Sequence, residues 1–259
     1  MPMNQTVEPV DSRSALPRWG WAALNLLQFV FTLVWTMACV SVALVVYALS
    51  GRRRRVPLRM ASWLWAPGLL RAAGGRFDVE GLERVDWSQP YVLVANHQSV
   101  IDICALFRAV PVPLRFLLKQ EMTRVPFVNW YAKAMGMVFI PRDDRRGATL
   151  SLRRSAELVR SGAIVCIFPE GTRSRDGTMG RFKPGAFQVA IESGARVLPV
   201  ALEGTGAVLP PDGAFRARPG PIRVRFGAPL ELQADGVPLD RQQLASRAQQ
   251  AVEDLLAGR

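Results

Sequence analysis

Apolar positions along the chain follow two regimes. From Trp19 to Gly51 no residue is charged, and the centre of that run, LLQFVFTLVWTMACVSVALVVYAL, holds neither Gly nor Pro. Nothing interrupts a helix there, so the pattern predicts a membrane helix over residues 19–51. At 1.5 Å per residue it would be roughly 50 Å long against about 30 Å of hydrocarbon, so it must tilt or leave its ends in the interface. The run is longer than the apolar core of a cleaved signal peptide, and Arg52, Arg53, Arg54 and Arg55 follow it directly. By the positive-inside rule these arginines, with Arg59, put everything after residue 51 in the cytoplasm. Residues 57–75 (PLRMASWLWAPGLLRAAGG) add Trp63 and Trp65, rings suited to the interface, and then Pro67 and Gly68 as a break. A second, interfacial helix is expected there, completing a membrane anchor over 19–75; residues 1–18 read as a polar tail.

Beyond Gly75 short apolar runs alternate with helical periodicity. Strands are predicted at 91–95 (YVLVA), 137–140 (MVFI), 163–168 (AIVCIF), 197–202 (VLPVAL) and 222–226 (IRVRF), and helices at 99–109, 126–135, 147–161, 185–193 and 239–257. The alternation predicts an α/β domain over 76–259, with a mostly parallel central sheet flanked by helices. No internal repeat interrupts it. Residues 204–220 (GTGAVLPPDGAFRARPG) are rich in Gly and Pro and are expected to form a long surface loop, a candidate lid over the site.

Composition removes several classes of protein. Of 259 residues, 49% are apolar and 21% charged, which excludes a disordered tail or a disulfide scaffold. Cys39, Cys104 and Cys166 each lie in an apolar stretch without CxxC or Cys/His spacing, so they read as small buried hydrophobes in a reducing compartment. Lysine plus arginine number 33 against 21 acids, a net charge of +12 that calls for anionic partners. The first 60 residues hold seven Arg and two acids, net +5, so +7 remains for the rest. Because the Arg run abuts the membrane segment, it reads as a topology and headgroup anchor rather than a nucleic-acid site.

The remaining charge collects at strand ends, where open α/β sheets place their ligands. Strand YVLVA leads into Asn96, His97, Gln98, Ser99, Val100, Ile101 and Asp102. With His97 in the turn and Asp102 in the first turn of the next helix, the carboxylate can accept the Nδ1 proton and leave Nε2 free as a base. Ser99 is a candidate nucleophile, but no GxSxG elbow surrounds it, which favours activation of a hydroxyl on the substrate. The second cluster, Phe168 to Ser174, follows another strand; Pro169 ends the strand, Gly171 permits a tight turn, and Arg173 offers a planar fork suited to phosphate. Locally, a structural turn pairing Glu170 with Arg173 remains open. Arg142, Arg145 and Arg146 follow the MVFI strand, and Lys183, Pro184 and Gly185 precede a helix. Three successive strands delivering such residues beside a membrane anchor point to a phospholipid-like substrate.

These blocks resemble the lysophospholipid acyltransferases, above all the bacterial 1-acyl-sn-glycerol-3-phosphate acyltransferases. NHxSxxD is matched by Asn96, His97, Ser99 and Asp102; KxE by Lys119 and Glu121; GxxFIxR by Gly136, Phe139, Ile140 and Arg142. FPEGTRS runs unaltered from Phe168 to Ser174, followed by Phe182, Lys183, Pro184 and Gly185, and Val197, Leu198, Pro199 and Val200 form the last block. The likeness spans roughly residues 75–230. It implies a glycerolipid acyltransferase-like fold and acyl transfer from acyl-ACP or acyl-CoA to the sn-2 hydroxyl of lysophosphatidate. It further implies catalysis by His97 and Asp102, phosphate binding by Arg142, Arg173 and Lys183, and a glycerol loop shaped by Glu170, Gly171 and Thr172. No metal or cofactor beyond the acyl donor is implied. Expected partners are lysophosphatidate, acyl-CoA or acyl carrier protein and an anionic membrane surface, with no nucleic acid; the expected location is the bacterial inner membrane, catalytic domain on the cytoplasmic side. Another acceptor, lyso-ornithine lipid or glycerol 3-phosphate, fits the same motifs, and a non-catalytic lipid-binding protein or a thioesterase is the more distant reading.

Overall fold

The computed structural model describes residues 17–141, 143–174, 177–211 and 215–258; most of the expected polar tail, and Arg142, lie outside them. The chain begins with helix α1 (Arg18–Leu49), then α2 (Arg55–Met60), a π-helical turn (Ala61–Trp65) and α3 (Ala66–Ala72). The rest supplies strands β1 (Gly75–Glu80), β2 (Val92–Ala95), β3 (Leu114–Lys119), β4 (Val138–Ile140), β5 (Ile164–Ile167), β6 (Val197–Glu203) and β7 (Gly220–Phe226), with a small hairpin of β8 (Gln233–Ala234) and β9 (Val237–Pro238). Between them lie helices α4 (Ile101–Ala109), α5 (Val128–Met135), α6 (Arg145–Arg160), α7 (Gln188–Ser193), α8 (Thr205–Val208) and α9 (Arg241–Leu256).

The seven strands form one sheet in the order β1-β7-β6-β2-β5-β3-β4, with every pairing parallel except β6 with β7. β2 and β5 sit at its centre and are buried throughout, which is why they read as unbroken apolar runs. Their alternate side chains feed two cores. Leu93, Ala95 and Cys166 pack on the side of α3 and α4, while Val92, Val94, Val165 and Ile167 pack toward α6, α7 and α9.

Two strands of the seven-stranded sheet escaped the hydrophobic pattern because each carries charge. β1 alternates half-buried with exposed residues and lies at the sheet edge, where Asp78 and Glu80 meet Arg223, and Glu80 meets Arg225, across the β7 pairing. β3 tolerates Arg115 at its second position because the guanidinium Nε donates to Met135 O at 3.1 Å. The 204–220 segment also departs from expectation. Thr205–Val208 is helical, and the apolar side chains of Val208, Leu209 and Ala217 are buried, which draws much of this Gly/Pro-rich stretch into the core.

No break occurs at Pro67 and Gly68. The π-turn absorbs the irregularity through a bond from Ala66 N–H to Ala61 O, and Pro67 falls in the first turn of α3, where a missing N–H costs little. Gly68 is required for close approach, because its backbone lies against the Trp35 indole with no room for a Cβ. Trp35 Nε1 donates to Trp65 O at 3.2 Å, Trp65 Nε1 to Thr36 Oγ1 at 3.0 Å, and Gln28 Nε2 to Ala72 O at 2.8 Å. The other face of α1 exposes Leu26, Leu27, Val30, Phe31 and Val34. Among the described residues, α1 is the one helix long and apolar enough to cross a membrane.

The basic run has a second role besides charge. Arg54 Nε donates to Ala134 O at 2.8 Å and Arg59 to Val110 O at 3.0 Å, so two of these cations satisfy carbonyls at the C-terminal ends of α5 and α4. The helices before Gly75 thus share hydrogen bonds with α4 and α5 and a core with the sheet.

Candidate active site

His97 and Asp102 meet at the carboxyl end of β2. His97 Nδ1 lies 2.7 Å from Asp102 Oδ2, and the same oxygen accepts the N–H groups of Gln98 at 2.7 Å and Ser99 at 2.8 Å. The chain forms this turn because the carboxylate, fully buried in the first turn of α4, replaces the missing partners of those two amides. Helix α4 accordingly starts at Ile101, two residues later than periodicity places it. The imidazole side chain is 14% exposed, so with Nδ1 committed to the buried acid, Nε2 is the nitrogen available to a substrate.

The other members of the motif hold this pair in place. Asn96, buried, gives its Nδ2 to Leu202 O at 2.8 Å and takes Leu202 N–H at 2.7 Å, which locks the end of β2 to β6. Ser99 is fully buried; its Oγ donates to Leu209 O at 2.7 Å and accepts Ile101 N–H at 3.3 Å. Its hydroxyl is consumed in the turn ahead of α4 and in tying that turn to Leu209, so Ser99 is no nucleophile.

The Phe168–Ser174 loop closes on the same point. Phe168 stacks on the His97 ring at 4.0 Å between centroids and 13° between planes, and Phe116 lies behind it at 6.2 Å. Phe168 closes a predicted strand and opens the FPEGTRS block, but its stack on His97 joins residues 71 positions apart, beyond the reach of any local pattern. Glu170 is buried, with Oε1 accepting His97 N–H at 2.7 Å and Oε2 accepting Gly180 N–H at 2.8 Å, and Ser174 N–H donates to His97 O at 2.8 Å. Burial pushes the Glu170 carboxyl above the usual carboxylate range, a rise that the Gly180 and His97 hydrogen bonds oppose. Glu170 therefore does not pair with Arg173, and neither of its oxygens is unoccupied. Replacing it with Gln turns one acceptor into a donor facing an N–H, so Glu170→Gln is expected to lower kcat severalfold and leave the acceptor KM unchanged. A raised KM at constant kcat would make Glu170 a substrate ligand instead.

Gly171 turns with φ +73, and a Cβ there would stand 2.9 Å from Lys183 Nζ, so the lysine head lies over this loop. Thr172, Arg173 and Lys183 are exposed around it, and no carboxylate pairs with Arg173 or Lys183 among the described residues. Arg142, the other expected cation, lies outside the described residues. No group of three or more His, Cys, Asp and Glu residues able to hold a metal occurs among those described.

An apolar cavity of about 650 Å³ lies against the start of α4. Val100, Ile101 and Cys104 of the α4 start line it together with Phe29 and Leu33 of α1 and Phe127 ahead of α5. Its walls come from five segments spread between residues 28 and 217, so no local pattern could have indicated it. Cys104, on this wall, has its thiol pushed up to about 12 by burial and by Asp102, which makes it inert packing.

A histidine paired with a buried carboxylate at a strand end, with a cationic loop closing on it and an apolar cavity at the start of α4, makes up the site of this α/β protein. The acyltransferase family model matches residues 76–203. A 1-acyl-sn-glycerol-3-phosphate acyltransferase of Pseudomonas aeruginosa is 34% identical over 200 residues, covering 77% of this chain and 74% of its own. The chain belongs to the acyltransferase family. The chloroplastic 1-acyl-sn-glycerol-3-phosphate acyltransferase LPAT1 of Arabidopsis thaliana is 39% identical over 156 residues, 60% of this chain. The match spans 44% of that relative, and the chain covers somewhat under half of the plant and algal relatives it matches. The crystal structure of the 1-acyl-sn-glycerophosphate (LPA) acyltransferase PlsC from Thermotoga maritima has the same fold, with TM-score 0.78 and 24% identity, covering 92% of this chain and 96% of that one.

Proposed function

We propose that this chain is a 1-acyl-sn-glycerol-3-phosphate acyltransferase, moving an acyl group from a thioester donor to the sn-2 hydroxyl of lysophosphatidate. The observation that carries the reading is a base oriented by a buried carboxylate with its neighbouring serine already bound elsewhere, so that the attacking oxygen belongs to the substrate. His97 Nε2 takes the hydroxyl proton as the oxygen attacks the thioester carbonyl, and Asp102 stabilises the imidazolium. Collapse of the tetrahedral adduct breaks the C–S bond, and the proton on His97 passes to the departing thiolate, leaving phosphatidate and a free thiol. The cavity, within the usual size range of ligand sites, has room for hydrocarbon, and its wall at Ile101 is one residue along the chain from Asp102.

Arg173, Lys183 and Arg142 bind the acceptor phosphate in this reading, and Gly171 and Thr172 shape the glycerol end of the site. Arg173→Ala is expected to raise the acceptor KM about tenfold with kcat within twofold, given roughly 1.5–3 kcal/mol for a charge-assisted hydrogen bond; an unchanged KM would remove Arg173 from that role. The exposed apolar face of α1 and the arginines after it support residence at the bacterial inner membrane, with the site on the cytoplasmic side. The deciding experiment compares initial rates with lysophosphatidate, lyso-ornithine lipid and glycerol 3-phosphate, using one acyl-CoA. The expected preference is lysophosphatidate, and no transfer to it overturns the assignment.

A further inference from the structure

We propose that the exposed face of α6 is the docking surface for a soluble acidic protein that presents the acyl group as a thioester. The proposal rests on the acyl-transfer reading above and adds a partner surface to it.

Helix α6 carries Arg145, Arg146, Arg153, Arg154 and Arg160, all exposed, against one acid, Glu157. None of the five is ion-paired with a described carboxylate. Elsewhere the chain does supply partners: Arg223 and Arg225 share Glu80 and Glu203, and Arg196 meets Glu231. Stability alone does not explain the α6 pattern. Arg145 and Arg146 occupy the first turn, where the helix dipole is positive and cations are unfavourable, and no acid stands there. Ahead of the helix stand Asp143 and the Asp144 cap, whose side chain accepts Arg146 N–H at 2.9 Å. Spacings of four, three and four residues place Arg146, Leu150, Arg153 and Glu157 on one stripe, and Leu150 is 56% exposed within it. An apolar residue framed by unpaired guanidinium groups matches an acidic amphipathic helix.

Position selects a soluble protein over a lipid surface. α6 buries Ser151, Ser155, Ala156 and Val159, and its apolar residues join the core shared with α7 and α9, on the sheet face opposite α3 and α4. α1 packs on that other face through Trp35 and Trp65. A bilayer holding the outer face of α1 therefore lies across the sheet from the arginines of α6. The register also favours donor delivery. β4 runs parallel to β3, β3 to β5 and β5 to β2, so α6, which follows β4, begins at the end of the sheet where His97 lies.

The test compares unaltered protein, Arg153→Glu/Arg154→Glu and, as a charge control on α9, Arg247→Glu. Each is assayed with one acyl chain carried either by acyl carrier protein or by CoA, and binding of the acyl-loaded carrier is titrated separately. The double variant should lose about tenfold or more in both kcat/KM and affinity for the carrier-borne donor, with the CoA rate and the control within twofold, and added salt should shrink the difference. Equal losses with both donors, no loss of carrier binding, or reduced binding to phosphatidylglycerol vesicles would each overturn the docking surface. Failure of the unaltered protein to transfer from either thioester would instead sink the acyl-transfer reading, while the titration still decides whether α6 binds the carrier.

Discussion

His97→Ala is expected to lower transfer by about 10²–10⁴-fold or more, the usual contribution of a positioned general base. The backbone of the loop should survive, because the bonds from His97 N–H to Glu170 and from Ser174 N–H to His97 O do not use the imidazole. What is lost is the Nε2 base and the stack on Phe168. Vesicle flotation should be unchanged, because α1, the one helix among the described residues long and apolar enough to cross a membrane, does not include His97, so the loss is assignable to chemistry. Residual turnover within tenfold of the unaltered protein would refute the base. His97 is the sole histidine in the chain, so a histidine-selective reagent gives an independent check. Modification should abolish activity, and lysophosphatidate should protect against it.

The second large effect is expected from Asp102→Asn. Oδ2 accepts three hydrogen bonds, whereas Oδ1 is buried with no partner among the described residues, so an asparagine can keep its oxygen at the first position and its amide at the second. The turn at Gln98 and Ser99 is then retained and the negative charge is removed. An uncharged neighbour cannot stabilise the imidazolium, and kcat should fall by about 10²–10⁴-fold with little change in acceptor KM. The amide left without an acceptor should also destabilise the fold by about 1–3 kcal/mol, visible as a lower Tm. A kcat within tenfold of the unaltered protein would show that charge at position 102 is dispensable.

The separation of roles around this pair was only partly legible in the chain. The order of strand, turn and helix stood out because β2 and β5 are buried on both faces and α4 follows directly. His97 and Asp102 could be paired by spacing, since five residues across a turn into a helix bring them within reach. Glu170 could not be understood that way. Its type and place in the cationic loop suggested a ligand-shaping residue, yet it accepts N–H groups from residues 97 and 180, contacts that exist only when the loops after β2 and β5 converge. Likewise Arg54 and Arg59 stood out as charge beside a membrane segment, while their bonds to the ends of α5 and α4 depend on how the first helices fold back.

Local physics therefore determined the apolar first helix, the central strands, the dyad and the placement of cations at strand ends, because periodicity, burial of neighbouring residues and short-range geometry are written in consecutive positions. The two charged strands, the Phe168 stack, the 650 Å³ cavity and the two-sided arrangement of α1 and α6 were decided by tertiary structure alone. Each is a relation between segments far apart in sequence, fixed by which sheet face an element covers, and that choice is made by packing rather than by any local pattern.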